Sequence, residues 1–274
     1  MTASARKNVR IIVSGCCGRM GSRLVALIHH ADDLVLSGAV ESSTQTCLGQ
    51  DVGECLGIGA VGVRVSARMD EAAQRGDCLI EFSTPEATVA HARVAARLRC
   101  PMVIGTTGLS DHQLGAIRQA SRSIPILLSP NMSVGINVLF QLAAAAAKTL
   151  GDAYDVEIIE THHAGKKDAP SGTAKRLAEV VAHARARALR RVAVYGRHGA
   201  QPRASHDEIG IHAVRAGDVV GDHQLVFATA GERLELAHRA SSRDTFALGA
   251  LHAARFIVTR RPGLYDMRDV LGLR

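Results

Sequence analysis

The chain has 274 residues, 47% of them hydrophobic, which suits one large or two medium domains and excludes global disorder. Aromatics make up only 3%, with no Trp, so the core is built from Val, Leu, Ile and Ala; this argues against nucleic-acid binding by aromatic stacking. The net charge of +7 suits anionic small molecules, and the densest basic segment, 183–198, reads as a solvated face and not a nucleic-acid patch.

Six cysteines, at 16, 17, 47, 55, 78 and 100, form no CxxC pair. They read as reduced thiols of a cytoplasmic protein with no zinc site. Residues 1–10 carry basic side chains but no apolar run ahead of a cleavage site, so they are not read as a signal peptide. The longest apolar run, 142–147, is too short to span a bilayer, and no membrane partner is expected.

Residues 9–13 read as a β-branched strand, followed at once by Gly15-Cys16-Cys17-Gly18-Arg19-Met20-Gly21 and a helix over 22–30. Strand, glycine turn and helix form a dinucleotide-binding start, although the spacing is G-x-x-G-x-x-G. A second strand, 34–40, ends on Glu41, an acid suitably positioned to accept the hydroxyls of an adenosine ribose. Ser42-Ser43-Thr44 supplies no arginine for a 2′-phosphate, which leans toward NADH or dual use.

The alternation continues with strands at 77–82, 102–104 and 124–128 and helices at 86–98 and 111–121. This pattern predicts a Rossmann-type doubly wound parallel sheet, with polar or glycine-rich segments 15–21, 83–85, 105–108 and 129–132 at its strand ends. A long helix over 134–150 then leads to a strand at 155–159. Next comes the stretch from Glu160 to Thr173, which carries His162, His163, Lys166, Lys167 and Asp168 ahead of Pro170-Ser171-Gly172-Thr173. Its imidazoles and ammonium groups are candidate proton carriers. The following helix, 174–188, can be capped by Ser171 or Thr173, and its start favours an anion. Strands at 191–195, 208–215, 219–228 and 233–239 give an antiparallel texture. The second half is therefore expected to be an α+β domain with a largely antiparallel or mixed sheet. A tail helix, 244–260, and the segment 264–271 are expected to pack back on the first domain. The expected division is 1–131 for dinucleotide, 132–240 for substrate and oligomerisation, and 241–274 for the returning segment.

With these residues in view, the chain resembles the 4-hydroxy-tetrahydrodipicolinate reductase (dihydrodipicolinate reductase) family of the diaminopimelate–lysine pathway, nearly end to end. The resemblance rests on 15–21, Gly105-Thr106-Thr107-Gly108, 131–137, 157–173, 215–221 and 265–271. It implies NADH- or NADPH-dependent reduction of a cyclic dicarboxylate in a cytoplasmic homotetramer. It further implies His162 as proton donor/acceptor, Lys166 as proton donor, His163 as a substrate contact, and Gly172 and Thr173 as a carboxylate seat. Gly15, Cys16, Cys17, Gly18, Arg19, Met20, Glu41, Gly105, Thr106, Thr107, Ser129, Pro130, Asn131 and Met132 would line the cofactor site. The chain departs from the family at Ser42, where a basic residue often follows the acid, and at Ala164-Gly165, where basic residues are common. Another two-domain dehydrogenase and a non-enzymatic dinucleotide sensor are the competing readings. A zinc site at His162 and His163 lacks a third ligand at usable spacing.

Overall fold

A computed structural model describes residues 8–203 and 205–273, so the reading of residues 1–7 lies outside the described residues. The chain divides into two compact units, Met1–Val134 with Asp244–Arg274, and Gly135–Arg243. In chain order the first unit supplies β1 (Val9–Ser14), α1 (Gly21–His29), β2 (Leu34–Val40), α2 (Val52–Cys55), β3 (Val65–Ser66) and α3 (Met69–Ala73). It continues with β4 (Cys78–Glu81), α4 (Pro85–Leu98), β5 (Met102–Ile104), α5 (Asp111–Ala120) and β6 (Pro125–Leu128). The second unit holds most of α6 (Val134–Leu150), then β7 (Asp155–His162), α7 (Gly172–Ala184), α8 (Leu189–Val192), β8 (Ala193–Tyr195), β9 (Ile209–Arg215), β10 (Gly221–Thr229) and β11 (Glu232–Ala240). The first unit resumes with α9 (Asp244–Ile257), β12 (Gly263–Tyr265) and α10 (Met267–Leu271).

The first sheet has the order β12-β6-β5-β4-β1-β2-β3, with every neighbouring pair parallel. Burial on both faces explains the unbroken apolar strands. Ile11 and Val13 join a core with Leu24 and Ile28 of α1 and Ala250 and Leu251 of α9. Ile12, pointing the other way, joins Ala92 and Ala95 of α4 and Ile117 of α5. Helix α4 opens with Pro85 in its first turn and Thr84 Oγ1 accepting the Ala87 N–H at 3.3 Å. The expected elements recur here, and five more appear: α2, β3, α3, the edge strand β12 and the short helix α10.

The second sheet, β11-β10-β7-β9-β8, is mixed. β10 is antiparallel to both β11 and β7, whereas β9 runs parallel to β7 and β8. The path from β7 to β9 passes through α7 and α8, long enough for a parallel crossover, while Gly231 turns β10 tightly into β11. Alternation sends Val156, Ile158, Glu160 and His162 of β7 to the buried face. There Val156 and Ile158 pack with Ile136 and Leu139 of α6, Leu177 and Val181 of α7, and Phe227 of β10. Fully burying Phe227 contributes about 2–3 kcal/mol. Strand β7 thus runs three residues past the expected end at 159. Helix α7 starts two residues early, and Arg191 and Val192 belong to α8 instead of a strand. The stretch Val134–Ala153 is long and apolar enough by length and composition to cross a membrane, which the short run 142–147 did not register. Its inner face lies in the unit's core, and Val134, Val138 and Leu142 form an exposed stripe.

Candidate active site

Because all strands of the first sheet run one way, the segments after β1, β2, β4, β5 and β6 emerge at a single edge. β2 and β4 flank β1 on opposite sides, so the turn from Gly15 to Met20 sits where the strand order diverges. Space demands glycine at two points. Gly15 has φ +73°, and a Cβ there would stand 2.6 Å from the Phe82 carbonyl oxygen. A Cβ on Gly21 would stand 2.0 Å from the Gly15 carbonyl oxygen, so α1 could not start so close to the turn. The Gly18 N–H donates to that same oxygen at 3.0 Å. Met20 occupies the N-cap position of α1 without a side-chain cap, leaving the positive end of the helix open to an anion. Cys16 is buried, Cys17 half-buried and Arg19 exposed.

Glu41 follows β2, and its carboxylate accepts the N–H of Cys17 at 2.8 Å and of Ser42 at 3.0 Å, which aims it at the glycine turn. Gly105 lies against the Phe82 ring, where a Cβ would come within 2.2 Å. The Thr106 hydroxyl accepts from Thr88 at 2.9 Å, and Thr107 is exposed. The Ser129 hydroxyl donates to the Asn131 carbonyl at 2.7 Å, and Asn131 Oδ1 accepts the Ser133 N–H at 2.9 Å. Pro130 is exposed and Met132 buried, its carbonyl oxygen 1.8 Å from where a Cβ on Gly249 of α9 would stand. All the expected cofactor residues therefore lie at one edge. A turn that a Cβ would block, an uncapped helix start and an acceptor after β2 fit a nicotinamide dinucleotide.

One group here has no counterpart among the expected residues. Glu81, fully buried at the end of β4, has Oε2 2.7 Å from His91 Nδ1 and accepts from the Ser83 hydroxyl at 2.5 Å. Ser14 Oγ is 3.2 Å from the same His91 nitrogen. This carboxylate ties β1, β4 and α4 together beneath the glycine turn; the only sequence signal is an acid inside an apolar run.

In the second unit, His162 and Glu160 share the buried face of β7, with His162 Nδ1 2.5 Å from Glu160 Oε2. Arg215, opposite His162 in register on β9, grips both carboxylate oxygens at 2.9 and 3.0 Å. The Ser171 N–H donates to Glu160 Oε1 at 2.9 Å. Burial alone would push the Glu160 carboxyl up, but the hydrogen bonds from Arg215, His162 and Ser171 hold it below the ordinary value. An ionised carboxylate only accepts, so the imidazole proton resides on Nδ1 and Nε2 presents a lone pair. Nε2 lies 3.0 Å from where a Cβ on Gly221 would stand. Burial lowers the His162 pKa despite the pull of Glu160, so the ring is neutral at pH 7.

His223 of β10 stands edge-on to His162, ring centroids 5.2 Å apart, and its Nε2 is 3.1 Å from Ser171 Oγ. Burial, with the His162 ring adding to it, drops the His223 pKa to about 3. His163 is half-buried, and its carbonyl accepts the Lys166 N–H at 3.1 Å, closing the turn through Ala164 and Gly165. Lys166 Nζ donates to Asp168 Oδ1 at 2.7 Å, and this bond holds the Asp168 carboxyl below its ordinary value. Ser171, not Thr173, caps α7, accepting the Ala174 N–H at 3.2 Å. Gly172 and Thr173 are the first two residues of that helix, with open space where a Gly172 Cβ would be. Glu160, Arg215 and His223 thus join a site whose expected members were His162, His163, Lys166, Gly172 and Thr173. The period-two pattern of β7, continued past 159, was the signal for Glu160.

A dinucleotide-binding parallel sheet joined to a unit presenting a carboxylate-anchored histidine, a lysine and an open helix start defines a two-unit nicotinamide-dependent oxidoreductase. Residues 9–132 match the family profile of the dihydrodipicolinate reductase N-terminus, and residues 135–271 that of its C-terminus. The chain is 51% identical to the 4-hydroxy-tetrahydrodipicolinate reductase of Nitrosomonas europaea and 48% identical to that of Syntrophus aciditrophicus, each over 97% of this chain and 99% of the relative. The dipicolinate-bound dihydrodipicolinate reductase of Paenisporosarcina sp. TG-14 is similar in structure with a TM-score of 0.76 at 25% identity, over 94% of this chain and 97% of that one. The chain belongs to the dihydrodipicolinate reductase family. The readings as another dehydrogenase or as a sensor fall away.

Proposed function

We propose that the chain reduces 4-hydroxy-2,3,4,5-tetrahydrodipicolinate to tetrahydrodipicolinate with NADH or NADPH, on the route to diaminopimelate and lysine. The reaction consumes one hydride and one proton and releases water; the bound nicotinamide supplies the hydride. The observation that carries this reading beyond family membership is His162 locked by Glu160 two residues away from it on β7, close to the start of α7.

Within the first unit, the backbone from Gly15 to Met20 and the start of α1 receive the pyrophosphate, and Glu41 receives the ribose hydroxyls. Gly105, Thr106, Thr107 and the residues from Ser129 to Met132 line the same edge. In the second unit, the N–H groups of Gly172 and Thr173 at the start of α7 hold a substrate carboxylate, with His163 beside it. Lys166 gives a proton after exchanging Asp168 for the substrate. His162 accepts at Nε2, and as imidazolium, held by Glu160, it returns the proton.

The protein works as a cytoplasmic homotetramer with no nucleic-acid or membrane partner, its second unit supplying the contacts between copies. The exposed edge strand β11 with Leu234, and the stripe of Val134, Val138 and Leu142, support that assembly.

The test is a coupled absorbance assay. The substrate is generated from pyruvate and aspartate semialdehyde by the preceding synthase, with NADH and NADPH in parallel. Loss of nicotinamide absorbance is expected with at least one of them. Tight nucleotide binding without turnover on either would overturn the reading.

A further inference from the structure

Two of the six cysteines, Cys16 and Cys17, converge beside the acid that follows β2, Glu41. Cys16 Sγ and Cys17 Sγ are 3.8 Å apart, and with a Glu41 carboxylate oxygen their ligand atoms all lie within 4.8 Å of one another. On the loop that follows, the Cys55 thiol donates to the Cys47 carbonyl at 4.0 Å and to Gln50 Oε1 at 3.6 Å. The loop carrying Cys47 and Cys55 is braced by Asp51, whose Oδ1 accepts the N–H groups of Gly53 at 2.8 Å and Val61 at 3.0 Å, and whose Oδ2 accepts that of Gly62 at 2.7 Å. Cys16 and Cys17 follow β1 and Glu41 follows β2, so the group is assembled by the pairing of these two strands.

Two sulfur ligands on a tetrahedral ion, each about 2.3 Å from it, are separated by about 3.8 Å. That is the Sγ separation of Cys16 and Cys17. Two soft sulfurs with one carboxylate select a thiophilic dication over Mg2+ or Ca2+. Adjacent cysteines are poorly placed for a disulfide.

We propose that Cys16, Cys17 and Glu41 form a binding site for a thiophilic dication, Zn2+ or Cd2+, whose occupancy excludes the dinucleotide. Each bound thiol releases its proton to solvent and donates a sulfur lone pair to the ion, with no change of oxidation state. Glu41 cannot serve the ion and the ribose hydroxyls together. The exclusion therefore rests on the proposed cofactor site, whereas binding of the ion does not.

The reduced, ligand-free full chain is titrated with CdCl2 while the ultraviolet thiolate-to-cadmium charge-transfer band is followed. Saturation near one equivalent is expected, with loss of the band in Cys17→Ser and no change in Cys78→Ser. No band in the wild type, or an undiminished band in Cys17→Ser, overturns the site. NADH binding is then followed by fluorescence with and without ZnCl2, and its apparent Kd is expected to rise with Zn2+ concentration in the wild type but not in Cys17→Ser. An unchanged Kd at saturating Zn2+ overturns the exclusion, while failure to bind NADH without any metal counts against the cofactor site instead.

Discussion

The Glu160 carboxylate stands 2.5 Å from His162 Nδ1 and is clasped on both oxygens by Arg215, 55 residues further along the chain. A fully buried carboxylate held in this way can neither rotate nor take up a proton easily, and it fixes which imidazole nitrogen is bare. In the proposed reaction it plays the orienting role for His162 that a third group plays for a histidine base.

Glu160→Gln removes that control and leaves the Arg215 guanidinium without its anion. kcat is expected to fall by about a hundredfold, with a smaller change in KM for either nucleotide, since the nucleotide is held by the first unit. Unfolding in urea should show a loss of about 3 kcal/mol, because breaking one side of a buried ion pair strands the other. Unchanged kcat would show that His162 needs no orienting partner.

His223 gives the protein a built-in acid sensitivity. Its pKa of about 3 in the folded chain lies below the ordinary 6.5, so between those values the unfolded chain binds more protons. The stabilisation is fully present above pH 6.5 and is lost as pH falls toward 3, amounting to about 5 kcal/mol across the whole window. The lowered His162 acts in the same direction. Urea midpoints should be level from pH 8 to 7, decline below 6.5, and decline less steeply in His223→Gln. Equal slopes in the two proteins would contradict this account.

Gly21→Ala drives a methyl into the Gly15 carbonyl, 2.0 Å from the ideal Cβ position. Either α1 or the glycine turn must move, at a cost of about 1–3 kcal/mol. The expected result is a lower Tm and NADH binding weakened at least tenfold. Gly172→Ala, whose methyl would enter open space, should leave Tm nearly unchanged.

Ser42-Ser43-Thr44, directly after Glu41, contains no basic side chain for a 2′-phosphate. NADH should therefore have the lower KM in the wild type, and Ser42→Arg should shift the NADPH:NADH ratio of kcat/KM upward by about tenfold. A wild-type preference for NADPH would mean that other cations serve that phosphate.

The first sheet is legible in the sequence because strands buried on both faces must be apolar throughout, as at Ile11-Ile12-Val13 and Met102-Val103-Ile104. The segment 44–76 is not legible. Its order comes from one carboxylate, Asp51, and from a two-residue strand that gains meaning only beside β2. β12 is similarly silent until it pairs with β6, more than a hundred residues earlier. The histidine-lysine stretch announces its chemistry, but Glu160 and His162 look like loop residues because they are polar. Only Arg215 on the neighbouring strand, with the Ser171 N–H, makes it possible to bury them. The group of Cys16, Cys17 and Glu41 is hidden for the same reason, its two parts being joined by the fold and not by spacing.

The most direct measurement compares wild type, His162→Gln and Lys166→Ala in the coupled assay, with NADH affinity determined separately on each protein. kcat is expected to fall at least a hundredfold in both variants while the Kd for NADH stays within about twofold, since both side chains belong to the second unit. Turnover near the wild-type rate in either variant would contradict its role in moving the proton.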